Sequence, residues 1–145
     1  MERRAFLGSL TGPVVAVCAV CMGACSKSSS TSATPGAGGA GGAVNANFTI
    51  DLNSNLTTIG SSLVQSGVIV VRLAAGNTPG SFTAVQVACT HEGTSINFNQ
   101  SANKFICPNH GSTFSTAGVV TLGPAASSLK AYNITVNGSA MTISG

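Results

Sequence analysis

From Val44 onward, apolar and polar positions alternate in short runs with a period of two, the signature of extended chain. Phe48, Ile50 and Leu52 fall on one side of the first such run, Thr49 and Asp51 on the other. Residues 67–73 form a β-branched run, Gly-Val-Ile-Val-Val-Arg-Leu, stopped by the turn-rich sequence Ala-Ala-Gly-Asn-Thr-Pro-Gly. Alternation resumes from Phe82 to Cys89, with Val85, Val87 and Cys89 on one face. Near the C-terminus Tyr132, Ile134 and Val136 alternate up to Asn137-Gly138, and Met141 and Ile143 continue beyond it. An Asn-Gly pair supplies the positive φ angles of a tight turn, so a β-hairpin is predicted there. No stretch past residue 44 carries a helical period. The predicted class is all-β, an antiparallel sandwich or small barrel of about 100 residues, long enough to bury its own core.

The N-terminus follows a different pattern. Residues 2–7 read Glu-Arg-Arg-Ala-Phe-Leu, a twin arginine before an apolar stretch, and resemble a bacterial twin-arginine export signal. The stretch Ala5–Ala24 closes on Met22-Gly23-Ala24-Cys25, which resembles a lipobox in which Cys25 accepts lipid. Residues 1–24 are therefore read as a signal peptide and Cys25 as the lipidation site. An uncleaved anchor is a second reading, since a bilayer span needs about 20 apolar residues. A soluble, simply cleaved product is the third. Residues 25–43, rich in Ser, Gly and Ala, are read as a flexible linker with a span of roughly 20–25 Å. Its Gly36-Ala-Gly38-Gly-Ala-Gly41 spells a dinucleotide fingerprint only formally, because Ser and Pro precede it instead of a strand. Residues 44–145 make the globular domain.

Composition narrows the function classes. Only 6% of the 145 residues are charged, with a formal net charge of +3. Beyond residue 25, Lys27, Arg72, Lys104 and Lys130 are the cations and Asp51 and Glu92 the acids. So few cations exclude a nucleic-acid surface, and so few acids leave little room for paired-carboxylate catalysis. Asn-x-Ser/Thr triplets begin at Asn47, Asn55, Asn99, Asn133 and Asn137; beside a bacterial-type signal they are read as polar strand faces.

The cysteines and histidines carry the chemistry. With Cys18 and Cys21 in the signal and Cys25 taking lipid, Cys89 and Cys107 remain, and the only histidines are His91 and His110. They form two clips, Cys89-Thr-His91 and Cys107-Pro-Asn-His110. Unconnected buried cysteines and surface histidines are one reading, at odds with every such residue falling in a clip. A structural zinc site suits the donor types, although zinc fingers pair Cys with Cys and His with His. A [2Fe-2S] cluster with two sulfurs on one iron and two imidazoles on the other asks for two loops that each give one of both.

Here the sequence resembles the Rieske iron–sulfur proteins. Cys89-Thr-His-Glu-Gly93 is similar to their first cluster loop and Cys107-Pro-Asn-His-Gly-Ser-Thr-Phe114 to their second. Gly118-Val-Val, Gly123-Pro124-Ala125 and Leu129 are similar to the third loop and the strand after it. The resemblance implies a Rieske-type antiparallel β-sandwich with a cluster-binding subdomain built from two loops. It implies one [2Fe-2S] cluster per chain, with Cys89 and Cys107 on the buried iron and His91 and His110 on the outer one. Ser112, Gly123 and Pro124 would surround it. Quinol-oxidising members carry a disulfide between the loops, and Thr94 and Asn109 stand at the matching positions. Ser112 keeps a hydrogen-bond donor toward sulfur, while Phe114 lacks the hydroxyl found there in those members. Since hydrogen bonds to sulfur favour the reduced state, the potential is expected below that class, within roughly −150 to +300 mV. Imidazole ligation implies a potential that varies at alkaline pH. Glu92 lies beside His91 and is read either as biasing its ionisation or, in preference, as an ordinary solvated charge; Lys104 is read as a solvated charge.

No nucleophile with a base is visible, so no independent substrate site is expected. The implied function is one-electron transfer to redox partner proteins, by a domain exported and held by lipid on the periplasmic side of the membrane. The alternative is a Rieske subunit of a larger oxidoreductase, of cytochrome bc or arsenite oxidase type.

Overall fold

The computed structural model describes residues 43–145. The predicted signal, Cys25 and the linker up to residue 42 lie outside the described residues. Ten strands follow in order: β1 (Asn47–Asp51), β2 (Ser62–Gln65), β3 (Val68–Arg72), β4 (Phe82–Gln86), β5 (Asn97–Asn99), β6 (Lys104–Ile106), β7 (Thr113–Ser115), β8 (Val120–Leu122), β9 (Asn133–Asn137) and β10 (Ala140–Ser144). A single 3-10 turn, Pro79–Ser81, interrupts them. No helix among the described residues is long and apolar enough to cross a membrane.

The strands form three antiparallel sheets, β1-β10-β9, β2-β3-β4 and β5-β6-β7-β8. Strand β3 explains how they stack. Its β-branched residues are all buried, because both faces are covered. Val68 and Val70 pack with Ile50, Met141 and Ile143 of the β1-β10-β9 sheet. Ile69 and Val71 pack with Phe105 and Phe114 of the β5–β8 sheet. A run apolar on both faces is what a central strand requires, whereas a half-exposed strand alternates. The β2-β3-β4 sheet is thus the middle layer. It joins the β1-β10-β9 sheet through an antiparallel bridge between Val85 and Ala131. Flanking bonds from Gln86 N to Lys130 O (2.8 Å) and Tyr132 N to Ala84 O (3.0 Å) continue that join.

Arg72, at the end of this buried run, is itself buried. Its guanidinium lies 4.5 Å from the Phe82 ring centroid. Its nitrogens donate to Leu56 O, Gly76 O (2.7 Å) and Asn77 Oδ1 (2.8 Å). The cation is satisfied by carbonyl dipoles instead of a carboxylate, and it ties two connecting loops to the central strand. At the entry to the domain, Val44 O accepts from Lys130 Nζ (3.0 Å) and Tyr132 Oη (2.9 Å).

The C-terminal hairpin forms where predicted, with a different turn. Asn137 pairs with Ala140, so Gly138 and Ser139 are the central residues. Gly138 has φ +62° and Asn137 is not among the residues with positive φ. Glycine at the first central position is the type II′ arrangement, which needs left-handed backbone at one position only. Asn137 is left to end the strand. A second hairpin, β2–β3, turns on Ser66 and Gly67, with φ of +50° and +77°.

Candidate metal centre

Both clips fold on the same backbone frame. In the first loop Cys89 N donates to Thr94 O (2.8 Å) and Gly93 N donates back to Cys89 O (2.8 Å). In the second, Cys107 N donates to Ser112 O (2.8 Å) and Gly111 N to Cys107 O (3.1 Å). Each loop therefore bonds from its cysteine to the fifth residue on, and from the fourth back to the cysteine. The fourth residue is glycine in both, at φ +75° in both. That left-handed conformation closes the loop, and glycine adopts it without steric cost. The first loop leaves β4 through the Ala88–Ser95 bridge, and the second connects β6 to β7.

This frame brings the four predicted donors to one end of the domain in two pairs. Cys89 and Cys107 are each 2% exposed, belong to the core between the middle layer and the β5–β8 sheet, and are free thiols. The Cys107 sulfur is close enough to bear on the Cys89 thiol. His91 and His110 are exposed, their rings edge-on with centroids 4.9 Å apart. A mononuclear tetrahedral zinc would hold sulfur and nitrogen ligands at about 3.6 Å from one another. Among the described residues, the only trio of potential ligand atoms lying within 4.8 Å of one another is His91, Glu92 and His110; neither cysteine joins it. Sulfurs inside and imidazoles outside, with no cysteine in that trio, suit a two-metal group with unlike ligands better than a single ion.

Burial pushes the Cys89 thiol above its ordinary value, the nearby Cys107 sulfur adds to this, and bonds from the His91 backbone and the Ser112 side chain oppose it. In the metal-free chain the neutral thiol is favoured, and a thiolate forms where a bound cation offsets the desolvation. Ser112 is fully buried and links two parts of the site. Its Oγ accepts from Ala125 N (3.0 Å), and its side chain is one of the groups that lower the Cys89 thiol against the effect of burial. Ala125 follows Gly123 and Pro124, which are exposed and joined by a cis peptide bond. The first loop reaches the same segment through Thr90 Oγ1, which donates to Ser127 O (2.6 Å). Phe114 is fully buried in the same core as both cysteines. A cleft of about 670 Å³ beside the first loop is lined by Cys89, Thr90, His91, Ser127 and Lys130 among others.

Some contacts at the site were not legible beforehand. Glu92, read from the sequence as a solvated charge, is exposed but accepts a hydrogen bond from Asn109 Nδ2 (3.1 Å) of the second loop. Its Oε2 also lies 3.6 Å from His110 Nδ1. Nothing in residue type marks such a contact; aligning the two clips on their cysteines would have exposed it, because only then do the loop tips become comparable. Thr90 and Ala125 were likewise unassigned, their partners being backbone atoms.

The chain is similar to cytochrome b6-f complex iron-sulfur subunits. It is 35% identical to that of Chlorobaculum thiosulfatiphilum over 80 residues, covering 55% of this chain and 41% of the relative. It is 52% identical to the chloroplastic subunit of Pisum sativum over 46 residues, covering 32% and 20%. The chain thus spans less than half the length of these curated relatives. Among solved structures it is similar to the plasma membrane Rieske protein of Synechocystis PCC 6803, at 28% identity and a TM-score of 0.54, covering 71% of this chain and 100% of that one. Residues 48–133, which hold both clips and the Gly123-Pro124 segment, match the Rieske [2Fe-2S] domain, and the chain belongs to that family.

Proposed function

We propose that this chain is a one-electron carrier in which Cys89 and Cys107 hold the inner iron of a [2Fe-2S] cluster and His91 and His110 the outer one. The observation that carries the reading is the division of the donors into a buried sulfur pair and an exposed imidazole pair on two loops of identical frame. When bound, the cluster supplies a one-electron couple. The chain's own residues do the rest. The two buried cysteines keep water from the inner side, Ser112 donates toward sulfur, and the exposed imidazoles form the edge that a partner can approach. Electron transfer falls steeply with distance, so the histidine edge is the contact face in this account.

We also propose that the domain works outside the cytoplasmic membrane, exported through the twin-arginine-like residues 2–7 and tethered by lipid on Cys25 through the 25–43 linker. Similarity over the whole length of a plasma membrane Rieske protein supports a membrane-associated carrier. A second reading, a subunit of a larger quinol-oxidising complex, is favoured by the similarity to cytochrome b6-f iron-sulfur subunits. Isolation of the native protein in mild detergent separates the two, since a subunit brings a large partner with it and a carrier does not.

A redox titration tests the carrier reading. The expected result is a reversible one-electron wave below about +250 mV. No wave in that range, or a two-electron one, overturns it.

A further inference from the structure

The common frame of the two loops also fixes which of their tips meet. Counted from its cysteine, the first loop places His91 second and Glu92 third; the second loop places Asn109 second and His110 third. Each loop therefore has two tip positions, one given to imidazole and one not. The two imidazoles meet edge-on. The two remaining tip residues meet as well, Asn109 Nδ2 donating to Glu92 Oε2 at 3.1 Å across a separation of 17 residues.

No disulfide joins the loops, since Cys89 and Cys107 are both free of one. Thr90 donates to Ser127 O and Ser112 Oγ accepts from Ala125 N, which tie each loop to the third segment, while Ser112 and Cys107 bear on the Cys89 sulfur in the buried part of the site. Among the described residues, Glu92–Asn109 is the one hydrogen bond between side-chain nitrogen and oxygen that joins the ligand loops directly. Its acceptor is a carboxylate, which strengthens it, and its exposure to solvent limits its worth. Its effect is geometric: it ties the exposed tips while both sulfurs lie buried in the core.

We propose that Glu92 and Asn109 are a positioning pair, a noncovalent latch that holds the two ligand loops in register and slows the escape of iron. The inference rests on the ligand assignment above; neither residue is a ligand in it. Holding two loops together favours the closed, four-donor arrangement over one in which a loop swings away with its histidine. Loss of the latch therefore acts first on the rate at which iron leaves.

The test uses the full-length, cluster-loaded protein. Iron and sulfide are assayed at time zero, and visible absorbance is followed after adding excess iron chelator at pH 7. Glu92→Ala and Asn109→Ala are each expected to bleach about 2- to 5-fold faster than wild type, the range of an exposed charged contact. The double variant should be no faster than the faster single, because both remove one bond. Glu92→Gln keeps an acceptor oxygen at the same reach and should stay near the wild-type rate. Asn109→Asp sets two carboxylates against each other and should bleach fastest. Unfolding temperatures of the same samples without chelator separate a loosened site from a damaged fold. Rates equal to wild type, fully multiplicative singles, or Glu92→Gln as fast as Glu92→Ala would each overturn the latch and leave the ligand assignment standing. A wild-type sample with no iron, sulfide or visible absorbance at time zero would overturn both.

Discussion

Single residues are placed to set the electronic character of the proposed cluster site. Ser112 accepts from Ala125 N, and its side chain offsets part of the burial that raises the Cys89 thiol, as a donor toward that sulfur would. A hydrogen bond to sulfur stabilises the electron-rich state. Replacing Ser112 by Ala removes that donor, and a net bond of about 1 kcal/mol corresponds to about 40 mV for a one-electron couple. Ser112→Ala is therefore expected to lower the potential by about that amount in a redox titration. Phe114 gives the opposite experiment. Its ring is fully buried in the core that contains both cysteines, and a buried tyrosine hydroxyl seeks a partner. Phe114→Tyr should raise the potential by a similar amount. An unchanged potential in both variants would show that these side chains do not tune the cluster.

At the scale of elements, the glycines show what the turns demand. Gly111 has φ +75° with nothing within 4 Å of an added Cβ, so alanine there meets only backbone strain. That strain is worth about 1–2 kcal/mol. Gly118 has φ +81°, and its Cβ would sit 3.2 Å from Val85 and 3.3 Å from Leu129. Gly118→Ala is expected to cost measurably more stability than Gly111→Ala in denaturant unfolding; equal losses would contradict the packing described. The legibility of the fold followed the same physics. Strands β3, β4, β9 and β10 have five residues each, enough to display a β-branched run or a period of two. Strands β5 to β8 have three residues each, too few for any period, and exist through pairing with one another. Strand β2 is a mostly exposed edge, so burial gave it no apolar signature. The hairpin position was legible from Asn137-Gly138, but its turn slid by one residue because cross-strand register decides the turn, not the dipeptide. The two Cys–His clips were visible in the sequence because Cys and His are scarce. Glu92 and Asn109 were not, because their contact depends on two loops sharing a frame.

The whole molecule is three sheets around two apolar cores, with the middle layer facing both. The core against the β1-β10-β9 sheet makes the base of the domain. The second core ends in the two cysteines, so the hydrophobic packing that stabilises the β5–β8 sheet also seats the sulfurs. Among the described residues, Asp51 and Glu92 are the acids and Arg72, Lys104 and Lys130 the cations, with Arg72 buried. A domain so lightly charged is held by burial and backbone pairing, and its one concentration of chemistry is the loop end.

The central claim is that this end holds a two-iron cluster with unequal ligands. The EPR spectrum of dithionite-reduced protein, with iron and sulfide analysis of the same sample, tests it most directly. A rhombic signal of low average g with two irons and two sulfides per chain is expected. A colourless, EPR-silent protein holding a single zinc would contradict it.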